Sequence, residues 1–262
     1  MATLTVVAAE YSTAVTWNSA LLIDSYDVRV LVVTGAGVSA ESGIPTFRGK
    51  DGYWRNLDPI KLATPEAFAR DPELVWQWYR ERRQCICNAR PNAAHEAIAR
   101  LAQLADEFLL ITQNVDDLHE RAGLARAEMV HLHGDIFTTR CSRCNFEMQH
   151  DYQHNGEELP RCPLCDALMR PGVVWFGEPL PLRETERVEN YLQRDSCGVV
   201  IVAGTTATFG YIIHWALRAS HRGGELIEVN PEETQLSQFA TQLVRERAAV
   251  ALPRIVDQIA CS

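Results

Sequence analysis

The sequence predicts an α/β fold in which a parallel sheet domain carries a small cysteine-rich module in one of its connections. Short apolar, β-branched runs are too short for helices and indicate strands buried on both faces. Amphipathic stretches between these runs indicate helices, and two Cys-x-x-Cys pairs interrupt the pattern. A chain of 262 residues, 47% of them hydrophobic, is long enough to bury a full core.

The first predicted strand, at residues 30–33, leads into a glycine-rich turn. Gly35 and Gly37 lack the Cβ atoms that would keep a pyrophosphate away from backbone N–H groups. Ser39 can start a helix whose positive end faces the anion. Ala40 stands at the third position of a Gly-x-Gly-x-x-Gly spacing, where it is a tolerated variant. The turn suggests nucleotide binding, although Gly-x-Gly after a strand also occurs as an ordinary tight turn.

Three further strand-like runs, at residues 108–112, 199–203 and 226–229, also end in polar residues. In an open parallel sheet the carboxyl ends of the strands line one crevice, where such folds bind ligands. We therefore expect the four loops to form one site. In the alternative, the polar residues are unrelated caps of four separate strands, and their repetition is a coincidence.

Two helices are predicted at residues 72–87 and 92–107, as an antiparallel pair, with Asn92 capping the second. His95 lies inside that helix and is interpreted as a structural histidine. Residues 1–27 have loose helical periodicity, predicted to pack over the sheet. Residues 49–65 are rich in turn formers, which indicates either a mobile lid or an irregular surface loop.

Charge and composition exclude several classes of partner. The formal net charge is −9, and no run of basic residues exceeds Arg82 and Arg83, which argues against direct nucleic-acid binding. Residues 1–27 contain no basic residue, unlike a secretory signal or an Arg-rich transit peptide. No apolar stretch approaches the roughly 20 residues that a membrane span needs. We expect a cytoplasmic monomer without a membrane partner.

Four cysteines form two Cys-x-x-Cys pairs separated by 17 residues: Cys141, Cys144, Cys162 and Cys165. Four thiolates at this spacing give the closed tetrahedral shell that zinc prefers at structural sites. Two disulfides or a redox pair are the alternative, which a chain without an export signal disfavours. We predict one structural zinc that takes no part in chemistry, and we expect the other four cysteines to be unpaired thiols.

Candidate chemistry lies on both sides of the cysteine module. His133 precedes it and can take a proton near neutral pH. A lone histidine is more often structural, but Gly134 after it permits close approach of a ligand. After the module, residues 171–178 form an extended apolar segment whose backbone could pair with an added peptide strand.

Taken together, five motifs in one order resemble the sirtuins. They are residues 35–48, residues 113–116, His133 with Gly134, the four cysteines, and residues 174–178. The resemblance covers residues 28–257. It implies an NAD-dependent protein-lysine deacylase with a large Rossmann-like domain (residues 1–134 and 172–262, with a helical lid segment at about 49–90) and a small zinc-binding domain (residues 135–171). Its substrates would be acyl-lysine proteins or peptides, and its products free lysine, nicotinamide and O-acyl-ADP-ribose.

The resemblance also implies roles for individual residues. His133 would be the general base and Asn114 a second catalytic residue. The implied NAD contacts are Gly35, Ala36, Gly37, Ser39, Ala40, Glu41, Pro45, Phe47, Arg48, Trp54, Gln113, Asn114, Val115, Asp116, Gly204, Thr205, Thr206, Asn230, Pro231, Glu232 and Ala248. The implied substrate contacts are Tyr79, Arg82, Val174, Trp175, Phe176 and Gly177.

Tyr79 and Arg82 suggest the acyl specificity. Their i, i+3 spacing places them on one helical face, where a phenol and a guanidinium can hold a carboxylate. From spacing alone, a solvated face shared with Arg80, Glu81 and Arg83 is the simpler interpretation. The sirtuin subgroup that removes succinyl, malonyl and glutaryl groups has a similar Tyr-x-x-Arg. The resemblance therefore favours acidic acyl groups, with acetyl also accepted.

One loop departs from the family pattern. Sirtuins usually have Gly-Thr-Ser and then Val-x-Pro, whereas residues 204–211 here read GTTATFGY. Thr206 keeps a hydroxyl, but the proline is lost and Phe209 is bulkier, which puts the loop shape and the NAD affinity in question. Two alternatives therefore stay open: a mono-ADP-ribosyltransferase, and a catalytically weak NAD-binding module.

Overall fold

The computed structural model describes residues 29–46, 58–149 and 159–261. The predictions for residues 1–27 and for the first part of the lid segment, and the contacts implied for Phe47, Arg48 and Trp54, lie outside these ranges. Among the described residues, no helix is long and apolar enough to cross a membrane.

The large sheet contains all four predicted strands. Its strands are β1 (Arg29–Thr34), β2 (Glu107–Thr112), β3 (Met129–His131), β7 (Val199–Ala203), β8 (Glu225–Val229) and β9 (Gln242–Val244). They lie in the order β3-β2-β1-β7-β8-β9, and every neighbouring pair is parallel. The strand order reverses beside β1, which makes the carboxyl end of β1 a switch point where such folds bind ligands.

A second sheet holds the cysteine module. Its strands are β4 (Gly134–Cys141), β5 (Glu147–Gln149) and β6 (Met169–Val173), in the antiparallel order β5-β4-β6. β4 leaves the large sheet directly after β3, and β6 returns the chain toward it. His133 therefore lies at the junction of the two sheets.

The described residues form eight α-helices. They are α1 (Pro59–Leu62), α2 (Pro65–Arg70), α3 (Pro72–Asn88), α4 (Ala93–Leu104), α5 (Leu118–Arg121), α6 (Leu182–Arg194), α7 (Gly210–Ser220) and α8 (Ala248–Ala260). Val30 and Val32 of β1 pack in one cluster with α4 and α8, while Leu31 and Val33 pack in another with α6 and α7. Alternate side chains of a strand point to opposite faces, so β1 is buried on both sides, as predicted.

The predicted pairing of the two central helices is wrong. α4 packs on α8, and both belong to the core beneath the large sheet. α3 belongs to a separate core with α1, α2 and residues of the small sheet. Asn92 caps α4 as predicted, because its Oδ1 accepts from Ala94 N at 2.9 Å.

Arg83 shows why α3 faces the small sheet instead. The residue is buried, and its Nε donates to Ile136 O at 2.6 Å while Nη2 donates to Thr139 Oγ1 at 3.2 Å. A guanidinium that bonds two positions of β4 holds α3 against that strand. The simpler interpretation of α3, with Arg83 on a solvated face, is therefore wrong for this residue.

Candidate active site

The loops that follow the four predicted strands meet in one crevice. Gly35 N donates to Ala203 O at 3.1 Å, and Gln113 N donates to Thr34 O at 2.9 Å. Gly204 N donates to Val229 O at 3.0 Å. In the fourth loop, Asn230 N donates to Val244 O at 3.1 Å. Each loop thus begins with a hydrogen bond to the end of a neighbouring strand, which brings the predicted residues of all four loops together.

The glycines of the first turn also allow a close contact within the protein, in addition to their predicted approach to a pyrophosphate, which stays a prediction. A Cβ on Gly35 would meet Thr205 Cβ at 2.7 Å, and a Cβ on Gly37 would meet Gly204 Cα at 2.8 Å. Gly204 itself has φ of 62°, and a Cβ there would lie 2.5 Å from Val38 N. The glycines therefore allow two loops of the protein to touch backbone to backbone, which places the turn beside the β7 loop.

Ser39 does not start the predicted helix. Residues on either side of it form two short 3₁₀ helices (Ala36–Val38 and Ala40–Ser42), and its side chain caps neither. Instead its hydroxyl donates to Asp116 Oδ2 at 3.0 Å and accepts from Asn114 Nδ2 at 3.0 Å. The serine therefore ties the first turn to the loop after β2.

A buried polar cluster supports this serine. His95 is fully buried; its Nε2 lies 3.3 Å from Ser39 Oγ, and Asn92 N donates to its Nδ1 at 3.2 Å. Burial lowers the pKa of His95 to about 4, so the ring is neutral. Burial also raises the pKa of Asp116, whose carboxylate accepts from Leu118 N at 3.2 Å. His95 is thus structural, as interpreted, and it is part of the site's support.

The other side of the crevice is joined by side-chain amides. Gln113 Nε2 donates to Thr205 Oγ1 at 3.0 Å, and Asn230 Nδ2 donates to Thr205 O at 2.8 Å. The Glu41 carboxylate accepts from Ala249 N at 2.9 Å at the start of α8, so Glu41 caps the helix that begins at Ala248. Among the described residues, the two amide bonds thus join three of the four loops to one another, and the Glu41 bond joins the remaining, first loop to α8.

The remaining implied NAD contacts differ in how exposed they are to solvent. Ala36 and Val115 are half-buried, and Ile136 N donates to Val115 O at 3.0 Å. Ala40, Pro45, Thr206, Pro231 and Glu232 are exposed. Hydroxyls, carboxamides and the Asp116 carboxylate are the donor and acceptor set that ribose hydroxyls and a carboxamide require. The crevice therefore fits a dinucleotide.

His133 lies at the junction of the two sheets, between β3 and β4. Its Nδ1 is 2.9 Å from Gln113 O, and its Nε2 is 3.0 Å from the Tyr211 hydroxyl. Because a carbonyl only accepts, Nδ1 carries the proton, and in the neutral ring Nε2 is the acceptor. Burial lowers the pKa of His133, and the bond to Gln113 partly opposes that shift. A neutral imidazole whose Nε2 is the basic nitrogen suits a general base.

Tyr79 and Arg82 approach the site from α3, where Tyr79 contacts Trp175 and Arg82 lies near Asp116. Tyr79 is buried, and its hydroxyl accepts from Trp175 Nε1 at 2.9 Å, which leaves the phenol O–H as a donor. Burial raises the pKa of Tyr79 to about 12. The half-buried Arg82 guanidinium has its pKa lowered by burial, opposed by Tyr79 and Asp116. The pair is therefore close to the Asp116 cluster, although it is distant from that aspartate in sequence.

The segment after the cysteine module is more internally bonded than predicted. The amides of Val174, Trp175 and Phe176 donate to His133 O at 2.8 Å, to a Glu178 carboxylate oxygen at 2.8 Å and to Ala63 O at 2.9 Å. These three amides are thus not free to pair with an added strand. The Trp175 ring is buried under the Arg170 guanidinium, 3.3 Å from its centroid. Gly177 is exposed, with φ of 87°.

The four cysteines converge as predicted. Their sulfur atoms all lie within 4.8 Å of one another, with Cys141 and Cys165 at 3.5 Å and Cys144 and Cys162 at 3.6 Å. Zinc with Zn–S bonds of about 2.3 Å holds tetrahedral sulfur pairs about 3.8 Å apart. Backbone N–H groups of Cys144 and Arg143 lower the pKa of the Cys141 thiol to about 6, which favours the thiolate. The geometry fits one structural zinc and leaves no position for a substrate.

Sequence reasoning missed Tyr211 as a partner of His133. The available signal was the departure from the Val-x-Pro pattern, which places a tyrosine where a proline is usual. Phe209 borders the same histidine, with ring centroids 5.9 Å apart. The Glu178 carboxylate, which accepts from Arg170 Nη2 at 2.9 Å and from Arg140 at 3.2 Å, was also not singled out.

A doubly wound sheet with a polar crevice at its switch point and a four-cysteine module beside the half-buried His133 defines a class of nucleotide-dependent protein. The chain belongs to the Sir2 family, whose model matches residues 35–209. The predicted sirtuin membership is therefore confirmed.

Individual relatives agree over most of the chain. NAD-dependent protein deacylase 1 of Archaeoglobus fulgidus is 46% identical over 88% of this chain and 92% of its own. A crystal structure of a Sir2 homologue with NAD matches with a TM-score of 0.82 and 46% identity, covering 89% of this chain and 90% of its own. A Sir2 complex with a p53 peptide and NAD matches with a TM-score of 0.75 and 29% identity, covering 89% and 94%.

Proposed function

We propose that this Sir2-family protein is an NAD-dependent protein-lysine deacylase that prefers acyl groups ending in a carboxylate and also accepts acetyl. The observation that carries the catalytic part is the His133 ring, whose Nδ1 bond to Gln113 O leaves Nε2 as the base. The names of its relatives support the same activity.

The residues of the crevice have separate tasks in this reaction. NAD, when bound, supplies a ribose that exchanges nicotinamide for the acyl oxygen of the substrate. Asp116, held by Ser39 and Leu118 N, orients the ribose end of the site. His133 would then act as the base for a ribose hydroxyl, so that the hydroxyl oxygen could attack the acyl carbon. Zinc would hold the four-cysteine module without contacting either substrate.

The acyl preference rests on the pair of side chains on α3. The Tyr79 O–H and the Arg82 guanidinium supply one neutral and one charged donor on the same helical face. A carboxylate at the end of an acyl chain can accept from both, whereas an acetyl methyl group makes neither bond. The Trp175 indole fixes the phenol, which prepares it for the ligand.

A peptide panel tests the proposal. Matched peptides that differ only in acetyl-, succinyl-, malonyl- or glutaryl-lysine are incubated with the purified protein and NAD, and mass spectrometry identifies the products. We expect free lysine peptide and O-acyl-ADP-ribose, with the acidic acyl groups turned over faster. His133→Ala is the negative control.

Three results would contradict parts of the proposal. ADP-ribose attached to protein would indicate a transferase, and NAD binding without any product would indicate a silent module. Turnover of acetyl-lysine alone would keep the deacylase activity and remove the acidic preference.

A further inference from the structure

Tyr211 is the one described side chain whose hydroxyl hydrogen-bonds to the catalytic nitrogen of His133. The distance from its hydroxyl oxygen to His133 Nε2 is 3.0 Å. Tyr211 is the second residue of α7 and belongs to the segment that departs from the family pattern. A general base needs a free lone pair on Nε2, and here that lone pair accepts a hydrogen bond from the Tyr211 O–H. The reaction must therefore either displace the phenol or use it.

The packing around Tyr211 holds the phenol in place. Its ring stacks on Phe209, with centroids 5.4 Å apart and planes at 5°, and it contacts Trp215 at 5.3 Å. Trp215 is buried, and its Nε1 donates to Glu189 at 2.9 Å. A side chain held between a stacked ring and an anchored indole does not swing away without breaking that packing.

The phenol oxygen can also accept a proton from a second group. Tyr211 is half-buried, and its hydroxyl bonds only to His133 among the described residues. Among the described residues, no donor therefore occupies the lone pairs of this oxygen.

We propose that Tyr211 is a further catalytic residue, which relays the proton of the reacting ribose hydroxyl to His133. The inference rests on the proposed deacylase function. The ribose O–H bond breaks and its proton bonds to the Tyr211 oxygen, while the Tyr211 O–H bond breaks and that proton bonds to His133 Nε2. The ribose oxygen keeps the electron pair for attack on the acyl carbon. The phenol ends neutral, and the imidazole ends as the cation.

The acidity of the phenol agrees with a concerted transfer. Burial raises the pKa of Tyr211 to about 12, so a free phenolate is not populated near neutral pH. The phenol can pass a proton on only while it receives another. Two protons then move in the step that follows the loss of nicotinamide.

Tyr211→Phe tests the relay, because phenylalanine keeps the ring stack and removes only the hydroxyl. Two rates are measured with acyl peptide: exchange of labelled nicotinamide into NAD, which reports the step before proton transfer, and formation of O-acyl-ADP-ribose. We expect exchange within about twofold of wild type and product formation at least about tenfold lower. The rate of product formation is also measured as a function of the deuterium fraction of the solvent. The resulting curve should change from the shape expected for two transferred protons in the wild type to the shape expected for one in Tyr211→Phe.

A double mutant separates a relay from independent effects. His133→Ala alone should lose more product formation than Tyr211→Phe, and adding Tyr211→Phe to it should cause no further loss. Phe209→Leu, which leaves the hydroxyl in place, should keep the two-proton isotope dependence. Thermal melting confirms that each variant is folded.

Other outcomes overturn the relay. Wild-type or faster product formation by Tyr211→Phe would mean that the phenol is a spectator or blocks the base. Equal loss of exchange and product would assign it to an earlier step, and a further loss in the double mutant would make its effect independent of His133. If the wild-type protein shows neither exchange nor product, it is the proposed deacylase function that fails.

Discussion

At the residue scale, the burial of His133 sets the pH range of the reaction. Its pKa lies below the ordinary value of 6.5 because desolvation disfavours the imidazolium, and the base works only when neutral. The rate should therefore be unchanged as pH falls toward 6.5, and should drop only as pH passes through the lower pKa. A pH profile of kcat/KM measures the acid limb, and a limb above pH 7 would contradict this assignment.

Arg82 is the residue whose change should alter acyl choice. Arg82→Met keeps the length of the side chain and removes the charge, so it should weaken desuccinylation by about 1.5 to 3 kcal/mol in kcat/KM, the worth of a hydrogen bond to a charged group. Deacetylation should be nearly unchanged. Arg80→Met, on the same helix, is the matched control. Equal loss of both activities in Arg82→Met would assign the residue to support of the site.

Single residues also mark where sequence reasoning reached its limit. The cysteine cluster was predictable because zinc binding depends on residue type and spacing, whereas the role of His133 was implied by the resemblance and stays a prediction. The role of Ser39 was mistaken, because a serine after a glycine turn suits a helix cap equally well, and its true partners Asp116 and Asn114 are far away in sequence. Tyr211 was missed for the same reason, because its partner His133 lies 78 residues earlier in the sequence.

At the scale of elements, the start of α4 joins the helix to the first turn. Asn92 Oδ1 accepts from Ala94 N, while its Nδ2 donates to Val38 O at 2.9 Å and to Ser42 Oγ at 2.9 Å. Asn92→Ala should lower the free energy of unfolding by about 1 to 2 kcal/mol, at the upper end for a lost cap. Urea denaturation measures this change.

The control for the cap lies on the same helix. Gln103→Ala replaces an exposed residue of α4 and should change the free energy of unfolding by less than about 0.5 kcal/mol. Equal effects of the two substitutions would mean that the Asn92 contacts add nothing to stability.

Elements were predictable where the chain is long and regular. β1, β2, β7 and β8 consist of apolar runs, and each was located to within one residue at either end. β3 and β9 are three residues each, too short for any periodicity, and were missed. The partner of α4 was wrong because periodicity identifies an apolar face without saying what covers it.

At the scale of the whole molecule, the four-cysteine cluster should couple metal to folding. Cys141→Ser removes one of four ligands and should lower zinc content and melting temperature together, with activity lost as a consequence. Metal analysis and thermal melting of the same preparation provide the test. Cys261→Ser, which changes an exposed cysteine outside the cluster, is the control. A folded, active Cys141→Ser protein without zinc would contradict a structural metal.

The contact between Gly37 and Gly204 has a consequence for the order in which the metal site and the nucleotide site form during synthesis. One side of the crevice belongs to the first described strand, and the other side is made only after β7 and β8. Such long-range pairing forms late, whereas the sulfurs at residues 141–165 come from one continuous stretch. During synthesis, the chain should therefore be able to take up its metal while it is still growing. Its nucleotide site must wait until β7, β8 and the loops that follow them have left the ribosome.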